Sequence, residues 1–181
     1  MQNISIKNKL RQYALEKRKS IDTMQCSKQI LENLFSIEEY QKSKNILCYY
    51  PLKYEADVRP CFEDTNKKWF LPRVKGKNLE ICPYCKEKLS IGSFNICEPQ
   101  TEELKTKELI DMIIIPAVAA DRNGCRIGYG KGYYDRFLFS LTGNPIKVLL
   151  VYSDLLFPCI YPEQFDIRAD IVVTDKEILR F

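Results

Sequence analysis

Apolar positions along the chain switch several times between a helical and a strand-like period. Ile6, Leu10 and Ala14 recur at helical spacing after Ser5, so the pattern predicts a helix over residues 6–18 with Ser5 as its N-cap. Lys7 and Arg11 then lie one turn apart on a face beside the apolar stripe. A second helix is expected over residues 23–35, with Ile30, Leu31 and Leu34 on its buried side. Residues 45–50 form an apolar run short enough for a central strand, ending at Pro51. Residues 57–66 suit a short helix and residues 68–74 a strand.

The pattern weakens between residues 75 and 99. Short β-like pieces at residues 79–82 and 88–91 are broken by Gly76, Pro83 and Gly92, which predicts an excursion of hairpins. A polar helix carrying Leu104 and Leu109 leads into residues 112–115, the clearest buried strand in the chain. After Pro116 come a loop, a glycine cluster and a helix expected over residues 132–141, then strands over residues 146–152 and 169–174. Strands alternating with helices imply an α/β fold. The expected architecture has three layers, a mostly parallel central sheet with helices on both faces, and a small β-hairpin excursion. At 181 residues the chain fits one domain, residues 1–181.

Composition narrows the function classes. Hydrophobic residues make up 45% and charged residues 29%, an ordinary globular balance. The longest apolar run, residues 112–120, is far short of the ~20 residues a membrane helix needs. The first twelve residues lack the apolar core of an export signal, so a cytoplasmic protein without a membrane partner is expected. The net charge of +4 suits an anionic small molecule. Basic residues are scattered and show no interleaving with aromatics on one face, so a nucleic-acid partner is not expected, and a monomer is. The absence of histidine removes Ser-His-Asp and Cys-His catalysis and histidine-bound zinc or haem. Chemistry is left to carboxylates, Lys, Arg, Tyr, Cys, backbone amides or a hard metal ion. The eight cysteines are spread along the chain, several inside apolar runs, and read as reduced, largely buried thiols. Cys82-Pro-Tyr-Cys85 has the form of a glutaredoxin dithiol motif but lacks the expected helix start behind it.

Residues 121–135 are richest in candidate chemistry. They hold Gly124, Gly128, Gly130 and Gly132, four of the chain's seven glycines, between a buried strand and a helix. Alternating glycines let backbone N–H groups approach an anion closely, and a helix start adds its positive end. Arg126 and Lys131 add full charges, and Asp135 is an oxygen ligand of the kind Mg²⁺ takes beside phosphates. The pattern is neither the dinucleotide G-x-G-x-x-G nor a Walker A loop. Two readings stand on these residues alone: a polyphosphate cradle, or a shaped loop with Tyr133 and Tyr134 packing the helix. Lys7 and Arg11 by themselves equally suit a solvated helix face.

The run Arg126-Ile-Gly-Tyr-Gly-Lys-Gly-Tyr-Tyr-Asp135 resembles the signature of the 5-formyltetrahydrofolate cyclo-ligase family. Other segments resemble the family in order and position. They are Lys7-x-x-Leu10-Arg11, Tyr50-Pro51 with Glu55-Ala56-Asp57, Leu71-Pro72-Arg73-Val74, residues 92–99, residues 111–116, Pro162-x-x-x-Asp166 and Val173-Thr174. The resemblance implies conversion of 5-formyltetrahydrofolate and ATP to 5,10-methenyltetrahydrofolate, ADP and phosphate with Mg²⁺. It implies Lys7, Arg11, Arg126, Gly128, Tyr129, Gly130, Lys131, Gly132, Tyr133 and Tyr134 around ATP, with Arg126 and Lys131 at the transferring phosphoryl group. It implies Tyr50, Glu55, Asp57, Tyr129 and Tyr133 around the folate, and Asp135 and Asp166 at the metal. One position departs from the family: Phe165 stands where a histidine is frequent. A divergent relative that binds without turnover, or a thiol-disulfide protein using Cys82 and Cys85, are the rival readings.

Overall fold

The computed structural model describes residues 2–102, 104, 109–163 and 166–181, and only the backbone of residues 2–5. Helix α1 (Gln2–Lys17) already runs through Ser5, so Ser5 is not its cap. The expected stripe is also rotated. Ile6 is 36% exposed, while Lys7, Ala14 and Arg18 are buried at 7%, 0% and 4%. Positions 7, 11, 14 and 18 share a helical face, and that face is largely cationic. The tertiary environment, not apolar periodicity, sets which side turns inward.

Helix α2 (Thr23–Ser36) begins behind Asp22, whose carboxylate accepts the Gln25 N–H at 3.1 Å, and it buries Ile30, Leu31 and Leu34. Short α3 (Glu38–Lys42) leads to strand β1 (Asn45–Leu47). Beyond β1 the Cys48 N–H still donates to the Phe70 carbonyl at 2.9 Å, which keeps the chain extended toward Tyr50. The helix expected over residues 57–66 is only a 3-10 turn, Arg59–Glu63. Strands β2 (Lys68–Lys75) and β3 (Asn78–Pro83) form a hairpin, and β4 (Leu89–Ile91) pairs antiparallel with β5 (Cys97–Pro99) as the excursion. The polar helix expected around Leu104 and Leu109 falls largely on residues 103 and 105–108, outside the described residues. Then follow β6 (Met112–Pro116), β7 (Ala119–Asp121), β8 (Arg126–Ile127), α4 (Tyr133–Phe139) and β9 (Ile146–Leu150). Strands β10 (Leu156–Phe157), β11 (Ile171–Val173) and β12 (Ile178–Arg180) complete the chain.

The main sheet has the order β12-β11-β9-β6-β1-β2-β3. The five inner strands are parallel, and β3 and β12 close the edges antiparallel. This is the α/β architecture with a mostly parallel sheet that the alternation of patterns predicts. Ile113, Ile114 and Ile115 of β6 are at most 1% exposed, as a strand covered on both faces requires. Among the described residues no helix is long and apolar enough to cross a membrane.

The segment expected as a plain loop after Pro116 is instead a small second sheet, β10-β7-β8. Its turn is stapled by Asp121, which is 0% exposed. One carboxylate oxygen accepts the N–H groups of Asn123 and Cys125 at 2.9 and 3.0 Å, and the other accepts that of Ile160 at 3.1 Å. Three donors on one buried carboxylate compensate its desolvation and aim the glycine-rich segment at the sheet's end.

Candidate active site

In the main sheet β1 lies between β2 and β6, and the chain runs outward from it in both directions. Such a reversal opens a crevice beyond the carboxyl ends of the strands. Tyr49 and Tyr50, which follow β1, and Pro116, which ends β6, line a cavity of about 730 Å³ at that place.

The glycine-rich segment forms one wall. Gly130 and Gly132 have φ of +84° and +68°, a region that favours glycine. A side chain at Gly132 would also meet the Arg136 guanidinium at 2.7 Å. That guanidinium donates to the Lys131 carbonyl at 3.1 Å and to the Lys77 carbonyl at 2.9 Å, tying the segment to the β2–β3 turn. Tyr133 adds a hydrogen bond to the Gly76 carbonyl at 3.1 Å. From the other side Arg11 Nε donates to the Gly128 carbonyl at 2.7 Å. Helix α4 spans seven residues, shorter than the expected 132–141. The positive field therefore comes mainly from side chains, namely Lys7, Arg11, Arg126 and Lys131, all on the cavity wall.

Two of these cations are paired with carboxylates. Lys7 Nζ lies 2.5 Å from Asp166 Oδ2 and 3.7 Å from Glu163 Oε1. Arg126 donates to Asp135 Oδ1 at 2.6 Å and to the Ile167 carbonyl at 3.1 Å. The Lys131 ammonium stands 5.9 Å from the centre of the Phe94 ring. Asp135 and Asp166 both face the cavity. Among the described residues no group of three or more His, Cys, Asp or Glu could enclose a metal ion. One or two carboxylates fit a magnesium that keeps its waters and arrives on a polyphosphate, and the donor set is compatible with that ion.

The same cavity is lined by Tyr50, Tyr129, Tyr133 and Tyr134 and by Glu55, which is 7% exposed. Glu55 accepts the Tyr129 hydroxyl at 2.9 Å on one oxygen and the Leu52 N–H at 2.9 Å on the other. Burial pushes the Glu55 carboxyl above the ordinary carboxylate range, while those two donors and the Arg18 charge pull it down.

The cavity thus brings together every residue expected around ATP, the folate or the metal except Asp57. Asp57 is held away by Arg59, which donates to its two oxygens at 2.7 and 2.6 Å, and its own N–H donates to Ser27 Oγ at 2.9 Å. The Arg59 hydrogen bonds hold the Asp57 carboxyl below its usual range. The solvated-face alternative for Lys7 is overturned, since Lys7 is 7% exposed. Reading the sequence missed Phe94, Glu98 and Glu163, which also line the cavity, and Arg18, which lies behind its wall. Glu98 and Phe94 sit in the family-like stretch of residues 92–99, which was the available signal; Arg18 sits on the helical face of Lys7 and Arg11.

The dithiol motif is not a built redox centre. No disulfide joins any of the eight cysteines, and Cys82 is buried at the end of β3. Behind Cys85 comes only a 3-10 turn, Lys86–Lys88, so no helix end is there to activate a thiolate. Burial also pushes the thiols of Cys48 and Cys125 up, and that of Cys61 up to about 12.

Fold and cavity together define an α/β protein with a cavity lined by cations, glycines and tyrosines at the carboxyl ends of parallel strands. More narrowly, the chain belongs to the 5-formyltetrahydrofolate cyclo-ligase family, whose profile matches residues 3–175. It is 25% identical to the 5-formyltetrahydrofolate cyclo-ligase of Mus musculus, over 93% of this chain and 89% of the mouse protein. It is 28% identical to the 5-formyltetrahydrofolate cyclo-ligase of Mycoplasma pneumoniae, over 94% of this chain and 99% of that protein. The solved structure of 5,10-methenyltetrahydrofolate synthetase from Aquifex aeolicus superposes with a TM-score of 0.86 at 35% identity, covering 97% of this chain and 92% of that one. The family is one of enzymes.

Proposed function

We propose that this protein is a working 5-formyltetrahydrofolate cyclo-ligase, forming 5,10-methenyltetrahydrofolate, ADP and phosphate from 5-formyltetrahydrofolate and ATP with Mg²⁺. The observation that carries the reading is the lining of one cavity. Lys7, Arg11, Arg126 and Lys131 share it with the glycine-rich segment, and so do Tyr50, Tyr129, Tyr133 and buried Glu55. Those groups suit a triphosphate and a flat ring system in one cavity.

The amide-like formyl group is a poor electrophile. Attack of its oxygen on the γ-phosphorus of ATP breaks the bond to ADP and leaves a phosphorylated imidate carbon. N10 of the folate then bonds to that carbon, the carbon–oxygen bond breaks, phosphate departs, and the N10 proton is lost to solvent or phosphate. This sequence needs alignment and charge neutralisation more than a strong base, so a histidine-free chain suits it. Arg126 and Lys131 would neutralise the transferring phosphoryl group, with Lys7 and Arg11 on the remaining phosphates. Asp135 and Asp166 would hold Mg²⁺, which supplies charge neutralisation between phosphate oxygens. Glu55 would accept hydrogen bonds from the pterin, and the tyrosines would border its ring. One chain supplies every one of these groups, consistent with action as a monomer.

The test follows methenyl-folate absorbance with 5-formyltetrahydrofolate, ATP and Mg²⁺. The expected result is product formation that stops without ATP and falls strongly with a chelator. Calorimetric binding of both ligands with no product would instead make this chain a non-catalytic relative.

A further inference from the structure

Arg18 is a buried cation whose hydrogen-bond partners among the described residues are all neutral. It is 4% exposed; one terminal nitrogen donates to the Tyr129 hydroxyl at 2.9 Å and the other to the Ala117 carbonyl at 3.1 Å. Its Nε is buried with no hydrogen-bond partner among the described residues. A guanidinium kept out of water needs an anion. The anion is one step away, because the same Tyr129 hydroxyl donates to Glu55 Oε1 at 2.9 Å. A phenol that receives a hydrogen bond from a cation donates its own proton more strongly. The three groups therefore form a directed chain, Arg18 to Tyr129 to Glu55, and only its last two members line the cavity.

We propose that Arg18 is a positioning residue for folate binding, which through the Tyr129 hydroxyl holds the Glu55 carboxylate ionised and aimed at the substrate's ring. The inference rests on the reading of this cavity as a folate site. With one oxygen held by Tyr129 and the other by the Leu52 N–H, the plane of the carboxylate is set before any ligand enters. A ring edge carrying an amino group beside a ring N–H then meets fixed acceptors. The chain also links α1 to the segment after β8. The helix that bears Lys7 and Arg11 for the anionic ligand thereby sets the acceptor for the flat one.

The groups around Glu55 favour this assignment. Tyr49 after β1, Tyr134 on α4 and Tyr152 after β9 interact with it electrostatically, and burial pushes all three phenols up, so they stay neutral across the working range. Of the cations on the cavity wall, Lys7 and Arg126 are engaged by Asp166 and Asp135. Arg18 supplies the charge that stabilises the Glu55 anion against its burial.

Calorimetric titration of the full chain with 5-formyltetrahydrofolate, and separately with ATP and Mg²⁺, tests this. Arg18→Met and Tyr129→Phe should each weaken folate binding about tenfold, the scale of a hydrogen bond to a charged group, and Arg18→Met should leave ATP affinity within about twofold. In a Glu55→Gln background, Arg18→Met should add less than about twofold, because the group it acts on is gone. Folate affinity of Arg18→Met should recover as pH rises, since Glu55 without the cation needs a higher pH to ionise. Unchanged folate affinity in Arg18→Met, a full additive loss on Glu55→Gln, or a parallel loss of ATP affinity would overturn the proposal. If Arg18→Met does not fold, Tyr129→Phe with its Glu55→Gln double carries the same cycle, since it removes only the connecting hydroxyl. Failure of the wild-type chain to bind folate would overturn the reading of the cavity itself. Folate binding in the wild type with additive variants would overturn the relay alone.

Discussion

Single side chains in the cavity wall are engaged with one another, and that makes their substitution informative. Lys131 approaches an aromatic ring and has no carboxylate partner among the described residues, which leaves its charge available to phosphate. Lys131→Ala should lower kcat about a hundredfold or more, the scale seen when one donor to a developing charge is lost, with little change in thermal midpoint. Steady-state kinetics beside a melting curve separates the two effects. Glu55 behaves in the opposite sense. Because burial raises its carboxyl in the folded chain, the folded state binds its proton more tightly than the unfolded state does. That group's stabilising contribution is complete below the ordinary carboxylate value and is lost as pH rises through the folded value. Glu55→Gln should therefore gain stability relative to wild type as pH is raised from about 4 to 7, while folate binding weakens. Urea unfolding at several pH values reads the first, and titration calorimetry the second. A variant that lost stability relative to wild type over that range would count against a buried, reluctantly ionised glutamate.

Elements carry the next level of organisation, and α1 is the instructive one. Its apolar residues suggest one inward face, yet the face that turns inward holds Lys7, Arg11 and Ala14, and Arg18 continues it in the 3-10 turn that follows. Three cations there find Asp166, the Gly128 carbonyl and Tyr129, all from distant parts of the chain. Periodicity could not reveal this, because those partners lie more than a hundred residues away. By contrast α2 was legible, having apolar residues at helical spacing. Its Asp22 cap should behave independently of the cavity, and Asp22→Ala should cost about 1 kcal/mol in urea unfolding without altering either Michaelis constant. The glycine-rich segment is held as an element by Arg136, which joins the Lys131 and Lys77 carbonyls. Arg136→Ala should therefore raise the Michaelis constant for ATP severalfold while the folate constant moves less. Equal effects on both would mean that the segment is not the phosphate wall.

At the scale of the whole molecule, the glycine-rich segment follows directly on the small second sheet. Asp121 holds that sheet's turn, joining β7–β8 to Ile160 through hydrogen bonds from Asn123, Cys125 and Ile160. Asp121→Ala leaves three backbone donors without that acceptor and should cost roughly 3 kcal/mol in urea unfolding, with activity lost along with the fold. The thiols contribute nothing comparable. Replacing Cys82 and Cys85 together by Ser should leave turnover within about twofold, the loss being confined to packing at buried Cys82. Loss of turnover on that change, restored by added reductant in the wild type, would revive a redox role.

The amino-acid sequence by itself determined the α/β class, the positions of the buried strands and the chemistry of residues 126–135. Each of these is local: strand burial shows as an apolar run, and glycines beside cations show as composition. Family resemblance extended this to residues as far apart as Lys7 and Asp166. Tertiary structure alone decided which face of α1 turns inward, that Asp57 belongs to Arg59 rather than to the cavity, and that a second sheet replaces a loop. It also decided that Arg18 reaches Glu55 through Tyr129. These are contacts between charges distant in sequence, whose protonation and direction depend on burial, and burial is a property of the packed chain rather than of any segment of it.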